Sequence, residues 1–215
     1  MDTFSRDYVS FPIGGGKLQN FSMLRRLIRI FVIIGLCLFP SFQPAFSAPG
    51  YRAYAEGLVK NPPTGASFRP ELEVYLADLL NSYRKSQGRK SLNYSKQANV
   101  AARAQALDML KGNFVGHESA SGYRFNQRVA AFVGDTHSVG ENAARDRLPG
   151  SVDNAKAKRL FQQWIDSTGH RRNMLSNSYA EVSIGAVQFG NHLYAVQIFW
   201  KKQETQDGLS AFRTW

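Results

Sequence analysis

Leu193–Trp200, reading LYAVQIFW, is apolar on both pleat faces and is interrupted only by Gln197. Eight residues is strand length, and a strand that is greasy on both faces has to be covered on both. That requirement calls for helices above and below one sheet. Val182–Phe189 supplies a second strand, and Gly190-Asn191 between the two is a two-residue link of hairpin type. The fold class that follows is α+β, a three-layer α-β-α sandwich.

The rest of the chain supplies the layers. Pro70 opens a helix where a missing N–H costs least, Leu72, Tyr75, Leu76, Leu79, Leu80 and Tyr83 keep helical spacing, and Gly88 stops it. Ser95 is an expected N-cap for a second, Ala-rich helix reaching about Leu110. That helix is apolar on more than one side, so it should pack closely between other elements. A short helix is expected around Tyr123–Phe132, then a short strand over Thr136–Val139 ending at Gly140-Glu141-Asn142. Ser151 is the expected cap of a third long helix, with Ala157, Leu160, Phe161, Trp164 and Ile165 inward and Lys156, Lys158, Arg159, Gln162 and Gln163 outward. Residues 48–69, rich in Pro and Gly without an apolar period, read as a linker, 70–200 as the domain, and 201–215 as a polar tail.

Ahead of these lies a different kind of segment. Arg25, Arg26 and Arg29 precede an apolar run from Ile30 to Phe39, and Ala45-Phe46-Ser47 offers small residues for a cut before Ala48. The run is too short to span the roughly 30 Å hydrocarbon core, so residues 1–47 read as an N-terminal extension and secretory signal peptide, with Met23 an alternative start. No transmembrane anchor is expected. Cys37, the single cysteine, lies inside that run, so the exported chain would carry no disulfide. The expected location is secreted or periplasmic, in a bacterium.

Residues 1–47 hold five basic and two acidic groups, which leaves 22 basic and 14 acidic in 48–215, a net charge of +8. Such an excess favours anionic surfaces: lipid headgroups or envelope polymers. Nucleic acid is not an expected partner, because no aromatic-interleaved basic strip is present.

Three groups of polar residues look placed rather than solvated: His117, Glu141 with Asn142, and His170 with Asn173, each beside a Gly at the end of a regular element. Two imidazoles and a carboxylate could hold a divalent cation such as zinc, or serve acid–base chemistry. They could equally be loop-stabilising groups, and their spacing alone does not choose.

The ordered set LNSYRKSQG (80–88), AxxxAxDM (102–109), GHES (116–119), GENAA (140–144), WIDSTGHRRNML (164–175), SIGAV (183–187) and YAVQIF (194–199) resembles the CAP superfamily. This superfamily comprises cysteine-rich secretory proteins, antigen 5 and pathogenesis-related proteins, and the likeness is to its bacterial secreted SCP-like branch. The resemblance implies the same α-β-α sandwich and a cavity lined by two His and two acids. His117, Glu141 and His170 match three of these four. Where the fourth acid is expected the chain has Ser167, with Asp166 one residue earlier, so a metal held by His117, His170 and Glu141 would be held weakly. Cavity-lining roles thus fall to His117, Glu141, His170, Asn142 and Ser167. The resemblance implies a binding module for a lipid, sterol or cell-envelope component. A metal-dependent hydrolase or protease using His117, Glu141 and His170 is one alternative, and a structural or interaction protein without ligand is the other. No catalytic nucleophile is recognisable.

Overall fold

The computed structural model describes residues 48–203. The signal segment, its cut and the tail beyond Gln203 lie outside them. In chain order the elements are α1 (Ala48–Lys60), β1 (Ala66–Phe68), α2 (Pro70–Ser86), β2 (Asn93–Tyr94), α3 (Asn99–Gly112), α4 (Phe125–Val133), β3 (Thr136–Asp146), α5 (Asn154–Asp166), α6 (Thr168–Leu175), β4 (Glu181–Phe189) and β5 (His192–Lys202). No helix among the described residues is long and apolar enough to cross a membrane.

β4 and β5 form the expected hairpin, in register from Glu181↔Trp200 to Phe189↔His192, with Gly190 at φ 56° in the turn. β3 runs antiparallel to β5, β1 antiparallel to β4, and β2 adds a short parallel pairing to the start of β4. The order β1-β4-β5-β3 makes β3 an edge strand.

The two-sided burial inferred from LYAVQIFW is found residue by residue. Tyr194, Val196, Ile198 and Trp200 enter one core, with residues of α1, α3 and α4. Leu193, Ala195 and Phe199 enter the other, with residues of α2, α5 and α6. The Ala-rich α3 packs as closely as expected: Ala98, Ala101, Ala102, Ala104 and Ala106 are fully buried. A Cβ built on Gly185 of β4 would lie 2.3 Å from the Arg103 amide nitrogen and 2.4 Å from the Ala102 carbonyl carbon. Helix and strand touch there backbone to backbone.

Several local expectations are corrected. The segment 48–69, read as a linker, forms α1 and β1. Tyr51 and Ala55 are fully buried in α1, with Tyr54, Leu58 and Val59 packed beside them. This is a helical stripe built from Tyr and Ala, which carry little apolar signal in sequence. Ser95 does not cap α3: its hydroxyl accepts from the Gln97 amide and its carbonyl from Ser183 Oγ. The helix begins instead at Asn99, whose side chain reaches Tyr94 and the Ile184 amide. Asp153, not Ser151, caps α5 by accepting from the Lys156 amide.

Lys156 does not face out. It is fully buried, its ammonium donating to the carbonyls of Leu148 and Asn191 and lying 4.0 Å from Asp146. A buried ammonium is tolerable when paired in this way. β3 continues through Gly140-Glu141-Asn142 to Asp146, and β5 extends into Lys202, two residues past the expected boundary.

Candidate functional site

The site is assembled across edge strand β3. α3 ends at Asn113, a left-handed cap (φ 53°), and the loop to α4 follows. Gln105 Nε2 clamps that loop by donating to the carbonyls of Gly116 (2.8 Å) and Glu118 (3.2 Å), on either side of His117. Arg128 Nη2 donates to the His117 carbonyl at 2.7 Å and to Glu141 Oε1 at 3.0 Å. His117 Nδ1 meets the same Glu141 Oε1 at 3.0 Å. The His117 side chain is 55% exposed, whereas those of Glu141 and Arg128 are 1% and 0% exposed. An outward imidazole is therefore held from behind by a buried ion pair.

His170 arrives from the opposite layer. Gly169 and His170, expected to follow the end of a regular element, lie instead within helix α6. Asn142 Nδ2 donates to the His170 carbonyl at 3.1 Å and to Gln197 Oε1 at 3.1 Å. Asn173 Nδ2 donates to Asn142 Oδ1 at 3.0 Å and to the Glu141 carbonyl at 3.1 Å, which occupies a carbonyl of the edge strand. The His117 and His170 rings lie 6.5 Å apart between centroids, inclined at 70°. Glu141, His117 and His170 are thus brought together. Asn142, expected to line a cavity, is fully buried and ties strand to helix instead.

Ser167 is half-buried and serves as the joint between α5 and α6 (φ −82°, ψ 121°), its carbonyl accepting from the Arg171 amide. Asp166 is exposed and accepts from Gln162 Nε2 at 2.8 Å, so it does not stand in for the missing acid.

The two imidazoles are tuned in opposite directions. The hydrogen bond to Glu141 raises the pKa of His117, against a smaller opposing effect of burial. Burial, with the nearby His117 charge second, lowers that of His170. In the pH interval between the two values the pair carries one proton, on His117. The linkage follows: the His117–Glu141 bond contributes stability in full below the ordinary His value and loses it as pH rises through the raised value. For His170 the sign is opposite, with stability lost as pH falls through its lowered value. The Cε1 chemical shifts assigned to His117 and His170, followed from pH 4 to 9, should show two transitions bracketing the ordinary value, the upper from His117. Coincident transitions would contradict this assignment.

The side chains expected to hold a metal do not form a three-ligand cluster as they stand. Among the described residues no group of three or more His, Cys, Asp or Glu side chains is placed to hold a metal ion. Glu141 Oε1 is engaged by both His117 and the Arg128 cation, whereas its other oxygen, Oε2, is buried without a hydrogen-bond partner.

Arg128 is the residue sequence reasoning missed here. A single cation inside the apolar stretch FNQRVAAFV was its only signal. A second buried carboxylate sits behind the same loop: Asp108 accepts from Ser119 Oγ and, at 2.6 Å, from Tyr54 Oη. Burial, aided by that bond, pushes the Tyr54 hydroxyl up to about 12.

Comparison with known proteins agrees with the fold and the motif order. The uncharacterized protein YkwD of Bacillus subtilis (strain 168) is 30% identical over 120 residues, covering 55% of this chain and 44% of that protein. Among solved structures, an outer surface protein of Borrelia burgdorferi aligns with a TM-score of 0.54 at 16% identity, over 62% of this chain and 94% of the other. An extracellular protein containing an SCP domain from Bacillus anthracis aligns with a TM-score of 0.52 at 22% identity, over 62% of this chain and 41% of the other. At these identities the structural likeness concerns the fold, and the chain spans less than half of the Bacillus proteins. The family description that matches residues 77–200, more than half of the sequence, is the cysteine-rich secretory protein family. The chain is accordingly a bacterial member of the cysteine-rich secretory protein, or CAP, family.

Proposed function

We propose that this CAP domain is an exported binding module whose His117–His170 face holds the polar or anionic headgroup of a lipid, sterol or cell-envelope component. The observation that carries the reading is the His117 side chain, more than half exposed while its Nδ1 is locked onto buried Glu141. That bond leaves Nε2 unclaimed on the exposed side and favours the charged ring, in which Nε2 is a donor that can grip an anion. Export is supported by the signal-like residues 25–47 and by the similar Borrelia and B. anthracis structures, which are those of an outer surface and an extracellular protein. Hydrolysis is the weaker reading, because Glu141, its candidate carboxylate, is already engaged by Arg128 and His117.

Vesicle flotation tests the proposal. Protein should co-float with vesicles containing anionic lipid or sterol more than with neutral ones, and His117→Ala with His170→Ala should abolish the excess. Equal flotation of wild type and the double variant would remove the His face from the account. Stoichiometric zinc binding at His117 and His170, with turnover of a peptide or ester, would favour the metallohydrolase instead.

A further inference from the structure

The His117 face uses few of the chain's cations. Between Asp78 and Asp108 the sequence has no acidic residue, yet it holds Arg84, Lys85, Arg89, Lys90, Lys96 and Arg103. Two of these six are committed internally. Arg103 forms a two-pronged pair with Glu73, at 2.7 Å on each arm. Arg84 is buried and donates to the carbonyls of Lys90, Met174 and Ser176, fixing the loop after α2 against the segment after α6. The other four are exposed on the end of α2 and the connection to α3. Lys201 and Lys202 arrive beside them from the end of β5.

A recess of about 720 Å³ lies within this basic rim, lined among others by Lys90, Ser91, Asn93, Asn177, Tyr179 and Lys201. A second, of about 380 Å³, shares Ala180 and Lys201 with it and continues past Ser95 and Gln97 to Lys202. The one acid lining either recess is Glu181, which accepts from Asn93 Nδ2 at 3.1 Å. Tyr179 gives the furrow a rigid aromatic wall, stacked on Phe199 at 5.4 Å between centroids and 25° between planes. Neither recess is lined by His117, Glu141 or His170.

We propose that this furrow is a binding groove for an anionic glycan strand, a chain of sugars bearing carboxylate or phosphate groups. Spaced cations around an elongated recess suit a polymer with repeating charge. Amide and hydroxyl side chains along the floor match sugar hydroxyls, and the fixed tyrosine ring offers a face for a sugar's apolar side. A bilayer fits less well. Of the large apolar side chains exposed among the described residues (Val74, Val115, Leu148 and Phe189), none lines the furrow, so nothing there would insert into lipid.

The test titrates the purified protein with oligogalacturonate, in parallel with charge-matched polyphosphate and phosphatidylglycerol vesicles. Oligogalacturonate should bind more tightly than polyphosphate, and more weakly as salt rises. K90E/K202E should reduce its affinity at least tenfold, while K60E/K158E, the same charge change at exposed positions elsewhere, should alter it less than twofold. His117→Ala should leave it unchanged, so failure of the His face and failure of the furrow are distinguishable. On the unsubstituted protein, amide shifts of Ser91, Asn93, Asn177 and Ala180 should move with ligand, a readout that does not depend on the variants folding. Absence of oligogalacturonate binding, equal binding of polyphosphate, equal losses in both charge variants, or shifts confined elsewhere would each overturn the proposal. So would vesicle binding through Lys90 and Lys202 in place of glycan.

Discussion

Replacing Glu141 with Ala should destabilise the domain by about 3–5 kcal/mol, the usual consequence of stranding one partner of a buried ion pair. Arg128 is fully buried, and Glu141 Oε1 is the carboxylate it meets, at 3.0 Å. Without it the guanidinium keeps the His117 carbonyl, a neutral acceptor, and loses its carboxylate. The double variant E141A/R128M should recover part of the loss, since it buries no unmatched charge, while the space that Glu141 filled remains as a cavity cost. Chemical denaturation of the two single variants and the double gives the coupling energy directly. Additive losses would show that the pair is not the unit described. The same series separates stability from ligand contact: E141A/R128M should fold yet bind weakly, because His117 has lost the group that orients it.

Gly185→Ala should cost about 3 kcal/mol, at the upper end of the range for overpacking, and lower the melting temperature by about 6–12 °C. The added methyl would overlap the α3 main chain at Ala102 and Arg103, and main chain has no rotamer to escape into. The matched control is Gly57→Ala in α1, where a Cβ meets nothing within 4 Å. Removing that glycine from a helix interior should stabilise by about 0.5–1 kcal/mol. Thermal unfolding of both variants checks the pair. A Gly185→Ala protein with unchanged melting would mean that α3 and β4 are less closely seated than the contact distances state.

These two residues also mark what could be read from the sequence and what could not. Two-sided burial of β5 was legible because apolar residues stand on both pleat faces of LYAVQIFW, and α2 and the α5 stripe were legible by their helical spacing. α1 was not, since Tyr51, Tyr54 and Ala55 form its inner face and two of these carry hydroxyls. Lys156 was unreadable for another reason. Its acceptors belong to the Leu148 loop and the Asn191 turn, eight and 35 residues away, and only the folded chain brings them to one ammonium. At the site, His117, Glu141 and His170 could be named in advance, but their roles could not. Arg128 gives no sign in sequence that it faces Glu141, and that contact turns a candidate metal carboxylate into half of an ion pair.

The site's position on the sheet has a consequence of its own. Its halves are owned by different cores: His117 hangs from the layer of α3 and α4, His170 from the layer of α5 and α6, and they meet only over the rim of β3. The two layers pack against opposite faces of a common wall, and at its edge the bonds of Asn142 and Asn173 tie α6 to β3. The 6.5 Å spacing of the imidazoles is therefore set by how both layers are seated and not by either core alone. On the His170 side that seating runs through Ser167, the extended residue that joins α5 to α6 without a side-chain hydrogen bond capping α6.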